Sequence, residues 1–532
     1  MIHIDNLRKE FGTRTLFEIE RLSISDYDKI GLIGDNGVGK TSFLKILLDQ
    51  DTDYSGSVDV QGKLDSLLND GEKQEFSEEI YLKAELNDKN KYSPGEYQRL
   101  KLAKLLSNEF AFLLVDEPTS HLDIKQKERL AESLINREKG YILVSHDRDF
   151  INQTCNKIFE LSDGRLEVYN GDYSFYFDER VKRKKFVQRE YEGYIAEKKR
   201  LTGIMTNIKV KSSKVKTAPK RMGNSEARLH KMGGQSEKKK LDKQVKSIRS
   251  RIDQLEVKEK PKEETEIKLT IEEKDKIYSK VLIRAEKLDK RFGEKVIFKN
   301  GHLEIQNNTK IALLGDNGSG KTTLLNMILN KEVWVHPNIK IGYYSQLGEI
   351  LKLNKSILDN VLESSIYDQT MTRIILARLG FKTDDVYKIV DVLSDGERAK
   401  VKLAKLVTSD FNFLIMDEPT NFLDISSMEI LEDLLKGYDR PLLFVTHDVS
   451  FINNVADGLL IIEDHKIKSF RGNLAKFKMS KDRAKINTTS DDFLLEFKLI
   501  SINNRLAQEI SKEEREGLEI EYHKLVQQKQ NR

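Results

Sequence analysis

Two stretches of this chain carry residue types in a spacing that handles phosphate. Gly34-Asp-Asn-Gly-Val-Gly39-Lys40-Thr41 recurs as Gly315-Asp-Asn-Gly-Ser-Gly320-Lys321-Thr322, and each fits the pattern GxxxxGK[ST]. Each follows an apolar run (residues 30–33 and 311–314) and precedes a helical pattern. Glycines there let backbone N–H groups close around phosphate oxygens, and the helix N-terminus adds positive potential. The Lys reaches the outer phosphates and the Thr hydroxyl ligates Mg2+. The candidate binding residues are Gly34, Asn36, Gly37, Gly39, Lys40, Thr41 and Ser42, and Gly315, Asn317, Gly318, Gly320, Lys321, Thr322 and Thr323. A single Gly-rich turn is common in any protein; two in matching contexts predict two nucleotide sites.

Acid chemistry follows at matching distances. The apolar run from Phe110 to Val115 ends in Asp116-Glu117-Pro118-Thr119, and the run from Phe411 to Met416 ends in Asp417-Glu418-Pro419-Thr420. A strand that releases two adjacent carboxylates at its tip suits Mg2+ handling by the first and water activation by the second. Thirty residues beyond each aspartate stand His146 and His447, in Ser-His-Asp and Thr-His-Asp strings. A lone histidine in such a string is usually structural, but the identical spacing in both copies favours a role in the site. Phe11 and Phe292, each before a glycine, are aromatics in turns where a base could stack.

The elements that must hold these groups are legible from the same repeat. Strand patterns alternate with helical ones, and each unit opens on a phosphate loop, so the fold class is α/β with mainly parallel sheets. Ser93 to Ser394, Asp116 to Asp417, Asp123 to Asp424 and His146 to His447 are all offset by 301, whereas Lys40 to Lys321 is offset by 281. The second copy therefore has 20 more residues between its phosphate loop and Ser394. Domains are expected at 1–177, 178–265, 266–483 and 484–532, the last a helical extension. No apolar run approaches a membrane span and the first residues lack a signal-peptide pattern. The chain is expected to be soluble and cytoplasmic. Its single cysteine, Cys155, fits a packed thiol better than a reactive one.

Charge is segregated. The chain carries a net +4, yet residues 180–260 hold 26 Lys and Arg against 9 Asp and Glu, a local net of +17 on a body of −13. Such segregation points to a polyanionic partner, although a solvated charged helix is the plainer alternative. Val187, Tyr194, Leu201 and Ile208 recur every seven residues, and Leu241, Val245, Ile248, Ile252 and Leu255 alternate steps of four and three. Both patterns fit coiled-coil seams. With a break expected between Lys209 and Gly234, they predict an antiparallel helical hairpin whose arms of roughly 30 residues reach on the order of 45 Å.

Two further motifs complete a resemblance. Leu393-Ser394-Asp395-Gly396-Glu397-Arg398 and Ser93-Pro94-Gly95-Glu96-Tyr97-Gln98 each precede the paired carboxylates by 23 residues. They resemble the signature of ATP-binding-cassette ATPases, in which the serine and helix N-terminal amides of one cassette bind the γ-phosphate held by the other. Two cassettes in one chain, with a charged hairpin between them, resemble the ABC-F family. The short first cassette, extended tip and helical tail look like its antibiotic-resistance branch, the ribosome-protection proteins of the Vga, Lsa and VmlR type.

The resemblance implies ATP and Mg2+ as cofactors, and a monomer whose two ATPase domains form an internal dimer. Lys40, Thr41, Asp116, Glu117 and His146 would act with Ser394, Gly396 and Glu397; Lys321, Thr322, Asp417, Glu418 and His447 would act with Ser93, Gly95 and Glu96. Glu117 and Glu418 would polarise water, His146 and His447 would touch the γ-phosphate, and Phe11 and Phe292 would stack on adenine. Thr41, Asp116, Thr322, Gln346 and Asp417 would serve the metal. Pro94 and Asp395 depart from the signature and the first cassette has no clear partner for Gln346, so unequal sites are expected.

As a partner the resemblance implies the ribosome: its exit-tRNA site, P-site tRNA and 23S rRNA near the peptidyl-transferase centre. Lys211, Lys214, Lys216, Lys220, Arg221 and Met222 would form the contacting tip. The alternatives are a general ABC-F factor acting on stalled ribosomes, a tandem ATPase subunit of a separate transporter, and a DNA-maintenance ATPase. The basic hairpin disfavours the transporter, and the short arm without cysteine pairs disfavours the last.

Overall fold

Continuous apolar runs of four or five residues become the central strands, because strands covered on both faces need no polar alternation. The computed structural model describes residues 1–12, 14–66, 94–107, 111–120, 122–215, 224–258, 277–345, 350–381, 384–481 and 524. In the first cassette, β1 (Ile2–Phe11), β2 (Arg14–Ile24), β3 (Lys29–Ile33), β4 (Ser55–Val60), β5 (Leu64–Ser66), β6 (Phe112–Asp116), β7 (Tyr141–Val144), β8 (Lys157–Ser162) and β9 (Arg165–Tyr169) form one sheet. Its order is β4-β1-β2-β9-β8-β3-β7-β6-β5. The strands β8, β3, β7, β6 and β5 are parallel, and β1 pairs antiparallel with both β2 and β4.

The second cassette divides the same parts between two sheets. β10 (Val281–Phe292), β11 (Lys295–Gln306) and β13 (Trp334–Val335) are antiparallel. β12 (Lys310–Leu314), β14 (Ile341–Tyr344), β15 (Phe413–Asp417), β16 (Leu442–Val445), β17 (Gly458–Glu463) and β18 (Lys466–Arg471) lie in the order β14-β15-β16-β12-β17-β18. The extra length before Ser394 holds the helices Ile357–Leu362 and Gln369–Arg378.

Each phosphate loop thus leaves a central parallel strand, β3 or β12, and enters a helix, Lys40–Leu47 or Lys321–Leu329. Those helices bury Phe43 and Leu44, or Leu324 and Leu325, against their sheets. In the first core Phe43 meets Phe17 edge to face at 6.0 Å. Gly31 lets helix Arg148–Thr154 approach β3, since a Cβ there would come 2.8 Å from Ile151. Cys155, just past that helix, is buried, and burial pushes its thiol up to about 12. It is the packed thiol that its surroundings in the sequence predict.

Residues 169–265 form a separate compact unit. Helix Tyr173–Lys214 runs 42 residues and packs against helix Asn224–Asp253 of 30 residues. Residues 209–214 and 224–234 are helical although they fall inside the expected break of 209–234. Gly233 and Gly234 are helical, so their poor propensity is overridden by the elements around them. Leu201 is buried on the seam, Ser212 Oγ donates to Asp242 Oδ1 at 2.9 Å, and Val187 is exposed, so tight packing does not reach that far along the predicted heptad.

Candidate active site

The first phosphate loop is held by backbone conformations that favour glycine. Gly34, Gly37 and Gly39 have φ of 153°, 78° and 107°. A Cβ on Gly34 would stand 2.4 Å from the Leu161 carbonyl oxygen. Helix Lys40–Leu47 starts from Gly39 without a side-chain cap, so its first N–H groups remain available to an anion. Lys40 Nζ donates to the carbonyls of Gly34 at 2.6 Å and Asp35 at 3.0 Å. The second loop repeats this geometry: Gly318 and Gly320 have φ of 78° and 105°, and Lys321 Nζ donates to Gly315 and Asp316 at 2.8 and 3.2 Å.

Around the first loop lies a cleft of about 660 Å3 lined by Phe11, Leu16, Asn36, Gly37, Gly39, Lys40, Thr41, Ser42, Asp116, Glu117, Val144 and His146. Ten of these are residues that sequence reasoning selected, drawn from β1, the loop and its helix, the tip of β6 and the end of β7. Leu16 and Val144 are additions, neither carrying a chemical signal in the sequence. Phe11 is 77 % exposed at the end of β1, and Phe292 is 57 % exposed at the corresponding end of β10.

Thr41 Oγ1 donates to Asp116 Oδ2 at 2.9 Å. A hydroxyl beside a carboxylate is an oxygen-donor pair suited to a hard divalent cation that takes its remaining ligands from phosphate and water. Among the described residues no group of three or more His, Cys, Asp or Glu forms an all-protein cage. Ser93 and Gln346 lie outside the described residues, as do the tip residues Lys216, Lys220, Arg221 and Met222 and all of 484–532 except 524. Gly95 and Glu96 fall in the first turn of helix Pro94–Leu106, and Lys211 and Lys214 in the last turn of the first hairpin helix.

Both carboxylates after the strand tips sit in left-handed backbone, Glu117 at φ 46° and Glu418 at φ 50°. Their amides are anchored to Val144 O and Val445 O, each at 2.9 Å. A glutamate held at positive φ is a costly conformation of the sort found where a side chain must be aimed. Burial, and then the neighbouring Asp116, push the Glu117 carboxyl up to about 8; burial and Asp417 push Glu418 up to about 7. His146 Nε2 is 3.6 Å from Glu117 Oε1, and His447 Nε2 is 3.5 Å from Glu418 Oε1. Burial and the nearby lysine of each loop depress the two imidazoles to about 4 and about 3, so both are neutral near pH 7.

The two cassettes meet loop against loop. Asn36 N–H donates to Asp424 Oδ2 at 3.3 Å and Asn36 Nδ2 to Phe422 O at 3.1 Å, while Asn317 N–H donates to Asp123 Oδ2 at 3.2 Å. A Cβ on Gly396 would touch Asn36 Nδ2 at 3.1 Å, so the second signature packs on the first phosphate loop. There Ser394 caps helix Asp395–Thr408: its Oγ accepts Glu397 N–H at 3.3 Å, and Glu397 Oε2 accepts Ser394 N–H at 2.9 Å. Symmetry fails at some contacts. Lys125 Nζ pairs with Asp316 at 2.8 Å, but the position 301 residues on is Ser426, whose hydroxyl bonds Asp35.

A family model described as ABC transporter matches residues 19–82 and 298–421, and a second with the same description matches 159–242. The chain is 31 % identical over 526 residues to the ribosome protection protein VmlR of Bacillus subtilis, covering 95 % of each chain. It is 32 % identical over 466 residues to the erythromycin resistance ATP-binding protein MsrA of Staphylococcus epidermidis, covering 82 % of this chain and 93 % of that one. A solved structure titled RNase-L Inhibitor shares the fold at a TM-score of 0.58 and 18 % identity, covering 91 % and 93 % of the two chains. With paired phosphate loops, paired strand-tip carboxylates and relatives matched along nearly the whole chain, the chain belongs to the ABC-F family of tandem ATP-binding-cassette ATPases.

Proposed function

We propose that this ATPase binds the ribosome at the exit-tRNA site when ATP closes its cassettes, and that the hairpin then reaches the P-site tRNA and 23S rRNA beside the peptidyl-transferase centre. There it protects the ribosome from antibiotics, and hydrolysis releases it. The observation that carries this reading is the full-length likeness to a protein named for ribosome protection. It is supported by the +17 net charge of residues 180–260, which suits a phosphate backbone. Among the described residues no helix is long and apolar enough to cross a membrane, and the protein's place in this reading is the cytoplasm.

At each site the glycine loop, the lysine and the free helix amides bind the phosphates, with Phe11 or Phe292 against the base. Thr41 with Asp116, and Thr322 with Asp417 and Gln346, would hold Mg2+, which neutralises phosphate charge and orients the outer phosphate. Glu117 and Glu418 accept a hydrogen bond from the attacking water. His146 and His447, neutral and adjacent, donate towards the γ-phosphate. Ser394 with Gly396 and Glu397 closes the Lys40 site; Ser93 with Gly95 and Glu96 closes the Lys321 site. ATP binding favours the closed state because only that state joins both halves of each site.

The test is co-sedimentation of a Glu117→Gln, Glu418→Gln double variant with ribosomes. Retention in ATP but not ADP, together with loss of drug protection on deleting residues 211–222, is the expected result. Recovery with membranes, or unchanged drug susceptibility after the deletion, overturns the proposal.

A further inference from the structure

The two nucleotide sites are bridged by one side chain that has no counterpart. Lys127 lies in helix Ile124–Ile135, one turn beyond Asp123. Its ammonium donates to Asp147 Oδ2 at 2.5 Å and to the carbonyl oxygen of His447 at 2.9 Å. Asp147 adjoins His146 and caps the helix behind it through Phe150 N–H at 3.1 Å. His447 is the residue whose ring stands 3.5 Å from Glu418. One ammonium, only 14 % exposed, therefore holds the histidine loops of both sites at once.

The repeat shows that this link occurs in a single copy. The 301-residue offset sets Lys127 opposite Met428, Asp147 opposite Asp448 and His447 opposite His146. The Met428 side chain is buried and has no N–H to donate. A second contact has the same sense: Arg148 forms a buried ion pair with Glu432, which also accepts Asn454 Nδ2 at 2.9 Å, whereas the mirrored positions are Val449 and Ala131. In these two contacts the cation comes from the first cassette and reaches an acceptor in the second, whereas Lys478 of the second pairs with Glu128 of the first at 2.7 Å. Burial opposes the Lys127 charge, but Asp147, Asp448 and Glu418 face it and stabilise it. A buried charge held by two acceptors in different loops makes a stiff joint, because moving either loop leaves that charge less well paired.

We infer that Lys127 is a positioning residue that couples the histidine loop of the Lys321 site to that of the Lys40 site, through a tether that has no mirrored copy. A shift of the His447 loop pulls on Lys127, hence on Asp147 and His146, and a shift of the Asp147 loop pulls back on His447 through the same ammonium. This rests on the reading of Glu117 and Glu418 as the hydrolytic residues, and on nothing the hairpin touches.

The experiment measures steady-state ATPase of the full chain for K127M, M428K and the exchange K127M/M428K, each alone and combined with E117Q or E418Q. In the parent, E418Q is expected to lower turnover at the surviving Lys40 site beyond the loss of its own site. K127M should lower kcat about tenfold, with KM changed less than about twofold, as expected for misplacement without loss of binding. It should also remove the extra effect of E418Q. The exchange, which rebuilds the tether at the mirrored position, should restore the extra effect of E418Q.

An E418Q effect that is unchanged in the K127M background overturns the inference, as does a K127M loss confined to KM. Should K127M not fold, M428K alone decides: the added ammonium must enlarge the extra effect of E418Q on the Lys40 site, and an unchanged effect overturns the tether. If neither E117Q nor E418Q reduces ATPase in any background, the assignment of the carboxylates fails instead.

Discussion

Asn36 of the first phosphate loop donates its main-chain N–H to Oδ2 of Asp424 at 3.3 Å, and the other oxygen of that carboxylate caps the helix Ile425–Lys436 through Ser427 N–H at 2.9 Å. Burial opposes ionisation of Asp424, yet Lys400, Ser427 and Asn36 hold it down at about 2. One ionised side chain therefore starts a helix in one cassette and closes a loop in the other.

Replacing it separates these roles. Asp424→Ala should cost about 1–2 kcal/mol in urea unfolding through the lost cap and weaken ATP binding at the Lys40 site several-fold. Asp424→Asn can still cap and accept, so it should retain more than half of the stability. Equal losses in the two variants would show that charge, not capping, dominates.

The two sites should not contribute equally. Ser394 stands in a complete capping box against the Lys40 loop, whereas the opposite signature begins its helix with Pro94, which has no N–H to offer. Glu117→Gln is therefore expected to lower steady-state ATPase more than Glu418→Gln. Matching losses in initial-rate assays would refute the inequality.

Acid should destabilise the chain through His146. Its folded pKa of about 4 lies below the ordinary 6.5, so between those values the unfolded chain binds more protons. The stability due to the neutral ring is complete above about pH 6.5 and is lost as pH falls towards 4. At pH 4 the wild type should lose roughly 3 kcal/mol more than His146→Gln, relative to their difference at pH 7.5. Melting curves of the two proteins that stay parallel across this range would contradict it.

Glycine is required in both loops just before the helix. A Cβ on Gly39 would lie 2.9 Å from the Phe17 ring, and one on Gly320 would lie 2.4 Å from Ile297 Cγ2, at φ of 107° and 105°. Gly39→Ala and Gly320→Ala should each cost about 1–3 kcal/mol and abolish fluorescent-nucleotide binding at their own site while sparing the other. Full binding at both sites in either variant would refute this.

What the sequence disclosed was local in chain order. Lys40, Thr41 and the Asp116-Glu117 step follow fixed spacings beside apolar runs, and the 301-residue repeat doubled the signal. What it hid was either conformational or distant. Nothing in a glutamate announces the positive φ of Glu117, because glutamate has no preference for that region. The pairs Asn36–Asp424 and Lys127–His447 join residues 388 and 320 apart, where no periodicity connects them. Lys, Ser and Gly between 209 and 234 read as a break, yet residues 209–214 and 224–234 are helical, because local propensity is a weak guide inside long packed helices.

The burial of Cys155 has a practical consequence. The chain's one thiol is shielded from solvent and held protonated well above neutral pH, so maleimides should leave the native protein unlabelled. The wild type is therefore already a blank background for spectroscopic probes. Cysteines introduced at the exposed positions Ile135 and Tyr387, one on each cassette, would accept a fluorophore pair whose energy transfer follows opening and closing during turnover, without first rebuilding the protein to remove a native sulfur.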